Sequence, residues 1–329
     1  MTTQFGQYAP PTHVVAHLSD THLLGGARPL YGTVDTDAPL AAALARLESG
    51  GIRVDALVIT GDLTELGEPE AYRRLRELVE PVAKRLGAEL VWVMGNHDVR
   101  AAYAAELRGE ATADAGPQDV GPQDVGPQDA VHEVAGLRII SLDTTVPGYH
   151  HGDIRESQLE WLAEQLAEPA PHGTVLALHH PPIPSSVEVM ALLELRNQAA
   201  LAKVIRGRDV RAILGGHLHY ATAGQFAGIP VFVAAGSCYV IDAGADPASL
   251  IGHAAGQTLS LVHMRPGAVT TSAIPLDEGT KVVDFPPVIV QAFAAMTPEA
   301  RLEAFSSKTS TFTREEAHRI VAGETGAPQ

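Results

Sequence analysis

Short apolar runs alternate along the chain with amphipathic stretches and compact polar clusters. Val14-Val15-Ala16-His17-Leu18 reads as a buried strand ending at Ser19-Asp20. Leu40, Leu44 and Leu47 share one face of a helix predicted over 39–48, which stops at Gly50-Gly51. The next apolar run, Asp55 to Thr60, ends in Gly61-Asp62. A helix is predicted over 69–86, with a kink at Pro81 and Gly87 as its terminator. Leu90 to Met94 is a third strand, ending in Gly95-Asn96-His97-Asp98. Strand, polar cluster, helix, repeated, is the alternation of a layered α/β domain.

The rhythm breaks at 116–130, where Gly116-Pro117-Gln118-Asp119-Val120 recurs at 121–125 and again as Gly126-Pro127-Gln128-Asp129-Ala130. Three proline-bearing pentads with little apolar content predict an exposed loop insertion. The pattern resumes with a strand over 137–142, an amphipathic helix over 154–167 and a strand over 174–178 that runs into His179-His180-Pro181-Pro182. A helix over 197–205 leads to a strand over 210–214 and then Gly215-Gly216-His217-Leu218-His219. Apolar runs at 231–234, 258–264 and 269–274 are expected to complete a second sheet. From about residue 278 the character changes. Thr297-Pro298-Glu299 starts one short helix, and Thr313 to Glu316 has capping-box spacing for another. The expected division is a catalytic domain over 1–277 and a helical appendage over 278–329, which leaves room for a homodimer.

Composition narrows the partners. A formal charge of -16, from 23 basic and 39 acidic residues, argues against a general grip on nucleic acid or an anionic membrane. It leaves open a small anionic substrate, because bound cations reverse the field of an acidic cleft. Cys238 is the only cysteine, which excludes an intrachain disulfide and thiolate metal sites. The first twenty residues lack a basic stretch followed by a long apolar run, and no run of about 18 apolar residues occurs. A cytoplasmic location is expected.

Five polar clusters close five apolar strands: Asp20-x-His22, Gly61-Asp62, Gly95-Asn96-His97-Asp98, His179-His180 and Gly216-His217-x-His219. A single cluster means little, but strand ends in a layered sheet collect along one edge, where ligands bind. Carboxylates, one amide and neutral imidazoles form a donor set for divalent manganese, iron, zinc or cobalt rather than for calcium.

In this order the clusters resemble the calcineurin-like metallophosphoesterases. The wider run is similar to bacterial class III 3′,5′-cyclic nucleotide phosphodiesterases. It includes Gly148-Tyr149-His150-His151-Gly152, Ala177 to Pro184 and Ser237-Cys238-Tyr239. The resemblance covers roughly residues 12 to 275. It implies an α/β sandwich of two facing mixed β-sheets flanked by helices, with a C-terminal appendage. It also implies two metal ions, iron or manganese first and zinc or cobalt as alternatives. Asp62 would bridge them, with Asp20, His22 and His219 on one ion and Asn96, His179 and His217 on the other. A hydroxide held between the ions would attack phosphorus. His97 would sit over the phosphate as general acid or charge stabiliser, with Asp98 orienting its ring. Tyr239 is a candidate substrate contact together with Asn96 and His97, and Tyr149, Tyr220 and Phe226 are weaker candidates for stacking on a base. His180 reads as a structural neighbour, and His150 and His151 as pocket or surface residues.

The implied reaction is hydrolysis of a small phosphodiester, 3′,5′-cyclic AMP first, to the 5′-monophosphate. Glycerophosphodiesters and 2′,3′-cyclic nucleotides are the enzymatic alternatives. A non-catalytic scaffold would need a broken cluster, and none is broken.

Overall fold

The computed structural model describes residues 4–110, 125–246, 248–277 and 279–323. The chain divides into two compact units, Pro11–Asp277 and the described residues of Met1–Pro10 with Glu278–Gln329. The larger unit opens with β1 (His13–Leu18), α1 (Asp37–Ser49), β2 (Ala56–Thr60), α2 (Pro69–Leu86), β3 (Glu89–Val93) and α3 (Arg100–Leu107). It continues through β4 (Ala130–Val134), β5 (Leu137–Leu142), α4 (Glu156–Gln165), β6 (Thr174–Leu178), α5 (Gln198–Ile205) and β7 (Val210–Gly215). Then come β8 (Thr222–Phe226), β9 (Ile229–Val233), the two-residue strands β10 (Val240–Ile241) and β11 (Gly252–His253), β12 (Thr258–Arg265) and β13 (Ala268–Pro275).

These strands form a five-stranded sheet ordered β13-β12-β1-β2-β3 and a six-stranded sheet ordered β4-β5-β6-β7-β9-β8. In the first, β1, β2 and β3 run parallel, and β12 adds antiparallel beside β1. In the second, β5, β6, β7 and β9 run parallel between antiparallel edges β4 and β8. Val15, Val58 and Val91 of one sheet pack against Leu137, Ile139, Val175 and Leu214 of the other. Leu40, Leu44 and Leu47 of α1, with Tyr72, Leu75 and Val79 of α2, cover the outer face of the first sheet. Leu159 and Leu162 of α4, with Leu201 and Ile205 of α5, cover the second. The layers are therefore helix, sheet, sheet, helix. Central strands buried on both faces read as continuous apolar runs for that reason.

α2 keeps its expected bounds, Pro69–Leu86, with Pro81 inside it and Gly87 at φ 68° closing it. Two expectations are corrected. The apolar runs at β12 and β13 join the first sheet, β12 beside β1 and β13 at the edge beside β12, and only β9 belongs to the second. The solvated-loop reading fails at the last pentad. Gln128 is buried, and its backbone N–H donates to Asp143 Oδ2 at 3.0 Å. Asp129 Oδ1 accepts from Asp143 N at 2.8 Å and from the Gln158 amide at 3.0 Å. A polar segment becomes structure here because a neighbouring carboxylate and amide satisfy its backbone and side chains. The preceding pentads lie almost wholly outside the described residues.

In the smaller unit, α6 (Pro287–Ala295), α7 (Pro298–Ser306) and α8 (Arg314–Val321) build a separate core on Ile289, Ala292, Phe293 and Ala317. Thr297 caps α7 by accepting from Ala300 N, and Thr313 with Glu316 forms the reciprocal capping box of α8.

Candidate metal centre

The carboxyl ends of β1, β2, β3, β6 and β7 meet along one edge shared by both sheets. The residues that follow them turn sharply. Asp20, His22, Asp62, His217 and His219 have φ between 45° and 69°, and they are five of the ten described non-glycine residues with positive φ. Left-handed backbone at aspartate and histidine is strained, and it persists where packing and function over-determine it. Two glycines make the approach feasible. A Cβ at Gly95 would collide with the backbone nitrogen and Oδ1 of Asp62, and one at Gly216 with Ser19 Oγ and the carbonyl of Thr60.

Asp20, His22, Asp62, His179, His217 and His219 are all buried, while Asn96 and His97 are partly exposed at the mouth. Each of the four cluster histidines spends one ring nitrogen on a protein oxygen. His22 Nδ1 donates to Glu65 Oε2 at 2.6 Å, and His179 Nδ1 to the Thr60 carbonyl at 2.7 Å. His217 Nε2 donates to the Leu193 carbonyl at 3.1 Å, and His219 Nδ1 to the Tyr239 carbonyl at 3.2 Å. Such contacts fix the tautomer and leave the other nitrogen a lone pair, the arrangement found around metal-ligating imidazoles.

Those lone pairs converge on the carboxylates. Asp62 Oδ2 lies 3.5 Å from His22 Nε2 and 3.3 Å from His179 Nε2, while its Oδ1 accepts from His97 N at 2.8 Å. His219 Nε2 is 3.4 Å from Asp20 Oδ1 and 3.2 Å from His22 Nε2. His179 Nε2 is 3.0 Å from Asn96 Oδ1, and the Asn96 amide nitrogen donates to His150 Nδ1 at 2.9 Å. Ligand-quality atoms of Asp20, His22, Asp62 and His219 all fall within 4.8 Å of one another. His179, which also meets Asp62 Oδ2, and Asn96 form a second group, with the His217 ring 5.1 Å from that of His179.

This donor set fits two cations sharing Asp62. Facing imidazole lone pairs and buried carboxylates call for positive charge. Burial opposes charge on His179, yet Asp62 and Asp20 pull its pKa up to about 9. Burial pushes Asp62 up, but His179 and His22 outweigh it and hold that carboxyl well below its usual range. His180 has no spare nitrogen, since Nδ1 meets Thr144 Oγ1 at 2.8 Å and Nε2 donates to the His150 carbonyl at 3.1 Å.

The structure corrects the partner of His97. The Asp98 carboxylate faces away from that ring. It accepts from the backbone of Leu63, Thr64 and Gly95 and from the Tyr72 hydroxyl, and so binds the β2 and β3 loops together. Glu65, which no motif flags, takes the orienting role. Its Oε2 is 3.2 Å from His97 Nδ1, and its carbonyl is equally close. Burial pushes the Glu65 carboxyl up, but hydrogen bonds from His22 and His97 hold it down at about 2. Desolvation lowers the His97 pKa, and Glu65 with Asp62 raises it to about 9.

Tyr239 lies against the His219 ring at 4.3 Å. Among the weaker stacking candidates, Tyr220 is buried with its hydroxyl bonded to Ser186 N at 2.8 Å, and Phe226 packs into the second core, so neither reaches the mouth. Tyr149 is exposed and faces His151 at 5.2 Å. Cys238 is fully buried, and burial pushes its thiol up, which keeps it inert.

Residues 13–221 match the family model described as calcineurin-like phosphoesterase. The chain is 54% identical over 279 residues to a cAMP/cGMP dual specificity phosphodiesterase of Mycobacterium tuberculosis (strain CDC 1551 / Oshkosh), covering 85% of this chain and 84% of that one. It is 45% identical over 276 residues to a probable cyclic nucleotide phosphodiesterase of Rhodococcus erythropolis (strain PR4 / NBRC 100887), covering 84% and 88%. A dimetal phosphatase from Danio rerio shares the fold at a TM-score of 0.55 and 15% identity, over 82% of this chain and 98% of that one. With its five clusters gathered at one sheet edge, this chain belongs to the calcineurin-like phosphoesterases.

Proposed function

We propose that this protein hydrolyses 3′,5′-cyclic nucleotides, cyclic AMP first, to 5′-monophosphates at a dinuclear metal centre in the cytoplasm. The observation that carries the reading is the position of Asp62 Oδ2 between His22 and His179, each of which has its other nitrogen spent elsewhere. Asp20, His22 and His219 would hold one ion, Asn96, His179 and His217 the other, and Asp62 would be shared by both. Iron or manganese suits these ligands first, with zinc or cobalt as alternatives. When bound, the ions polarise the phosphodiester and acidify water.

The residues around the centre do the rest. Water adds to phosphorus and gives up a proton, the P–O3′ bond breaks with its electron pair on O3′, and His97 gives its proton to that oxygen. The proton lost by water restores His97 at the end of the cycle. Glu65 holds the His97 ring through Nδ1, which leaves Nε2–H as the donor. The Asn96 side chain, tied to His150, keeps its carbonyl oxygen turned toward His179. Support for the substrate class comes from the two relatives named as cyclic nucleotide phosphodiesterases.

The test compares kcat/KM for 3′,5′-cAMP, 3′,5′-cGMP, 2′,3′-cAMP and a glycerophosphodiester on one metal-loaded preparation. The 3′,5′-cyclic nucleotides should lead. A preference for the glycerophosphodiester would overturn the substrate class and keep the chemistry. Two bound metals with no diester cleaved would overturn the enzyme reading.

A further inference from the structure

A strip of rings crosses the site. Tyr31 lies 6.0 Å from Tyr239, Tyr239 4.3 Å from His219, His219 5.1 Å from His22, His22 4.8 Å from His97, and His97 5.0 Å from His150. Every ring in the strip but the first has a structural or chemical duty already described. The His22 and His219 rings hold lone pairs for the metal centre, His97 is tied to Glu65, and His150 accepts from Asn96. Tyr239 seals His219 and is partly buried.

Tyr31 differs. The residue is two-thirds exposed, at 66%, and its backbone sits at φ 52°. A bulky residue in the left-handed region, with most of its ring in water, costs stability and recovers little by packing. The turn that carries it is nevertheless firmly built. Leu30 and Val34 exchange backbone hydrogen bonds at 2.8 and 2.9 Å. Leu24, Leu30 and Cys238, with Val34 and Tyr239, make a small core beneath the turn. The Tyr31 ring meets the Tyr239 ring at a tilt, 6.0 Å between centroids. The fold thus spends strain to hold an aromatic face in solvent at the edge of the metal centre.

We propose that Tyr31 is a specificity-determining residue whose ring stacks on the purine base of a cyclic nucleotide while its phosphate occupies the Asp62 cluster. The proposal rests on the cyclic-nucleotide reading above. An exposed, pre-positioned aromatic ring suits a base because every base offers a π-face, and one stack contributes measurably to binding. On the other rim the exposed aromatic ring, Tyr149, has a histidine neighbour. The His150 ring is held by Asn96, and Tyr149 faces His151.

Tyr31→Gly isolates the ring, since glycine adopts positive φ without strain and the turn should fold at least as well. Thermal unfolding checks that point, and Tyr31→Phe keeps the stack without the hydroxyl. The measurements are kcat and KM for 3′,5′-cAMP and for ribose 3′,5′-cyclic phosphate lacking a base. Tyr31→Gly should raise KM for cAMP on the order of 5- to 100-fold, the range for loss of one base–aromatic stack. Its kcat should change little, Tyr31→Phe should stay near wild type, and KM for the baseless ester should not rise. An unchanged KM for cAMP in Tyr31→Gly would overturn the proposal. So would an equal rise on the baseless ester, which would make Tyr31 a contact to ribose or phosphate. If the wild-type enzyme fails to cleave cAMP at all, the cyclic-nucleotide reading falls and this proposal with it.

Discussion

Asp62 divides its two oxygens between duties: Oδ1 fixes the loop that presents His97, and Oδ2 faces both histidine groups. Asp62→Ala should therefore strip both metals together, while Asp20→Ala should chiefly affect one. Elemental analysis showing two full equivalents of metal in purified Asp62→Ala would end the bridging assignment. His97 separates by leaving group. A 3′,5′-cyclic nucleotide expels a poorly leaving ribose alkoxide, whereas bis(p-nitrophenyl) phosphate expels a phenolate that needs no proton. As general acid, His97→Ala should lose about 10²-fold or more on the nucleotide and far less on the activated ester, with metal content unchanged. Equal losses on both would make the ring a charge stabiliser. Most of this site was legible because its ligands sit in short clusters immediately after apolar strands. Glu65 was not. It lies three residues past Asp62 in an ordinary loop, and only the folded chain brings it to His22 and His97. Asp98 was misread for the converse reason, since adjacency to His97 says nothing of where a side chain points.

Elements with strong periodicity emerged close to their observed bounds, as at 69–86, 137–142 and 174–178. β8, Thr-Ala-Gly-Gln-Phe, escaped because it is a largely exposed edge strand with little apolar content. β12 and β13 were recognisable as strands, but periodicity does not name a partner, and β12 paired with β1 while β13 paired with β12. The segment before β4 shows how a repeat can mislead. Its last pentad carries Asp129, whose carboxyl is pushed up to about 6, first by burial and then by the neighbouring Asp143 charge. A carboxyl with a raised folded pKa binds more protons when folded. Stability should therefore fall as pH rises from about 4 through about 6, by at most about 3 kcal/mol for this group. Asp129→Asn cannot titrate, so the stability difference between wild type and variant should shrink across that window. Urea unfolding at several pH values measures it, and a difference independent of pH would show that Asp129 is not the buried charge described.

For the whole molecule, net charge and fold pull in opposite directions at the site. A chain of formal charge -16 buries Asp20 and Asp62 together and strains five backbone positions around them. No described helix is long and apolar enough to cross a membrane. Cations that bind only the folded chain offset both costs, and a ligand at a hundred times its Kd adds about 3 kcal/mol. Chelation should accordingly lower the thermal midpoint of the full chain as well as abolish diesterase activity, and added Mn²⁺ should restore both. The C-terminal appendage has its own core on Ile289, Ala292, Phe293 and Ala317, and none of the proposed ligands. A chain truncated after Asp277 should therefore show the same chelator-induced shift as the full chain, and the same kcat/KM. A midpoint indifferent to chelation, in either form, would mean that the buried Asp20–Asp62 cluster is satisfied without metal and that the ligand assignment is wrong.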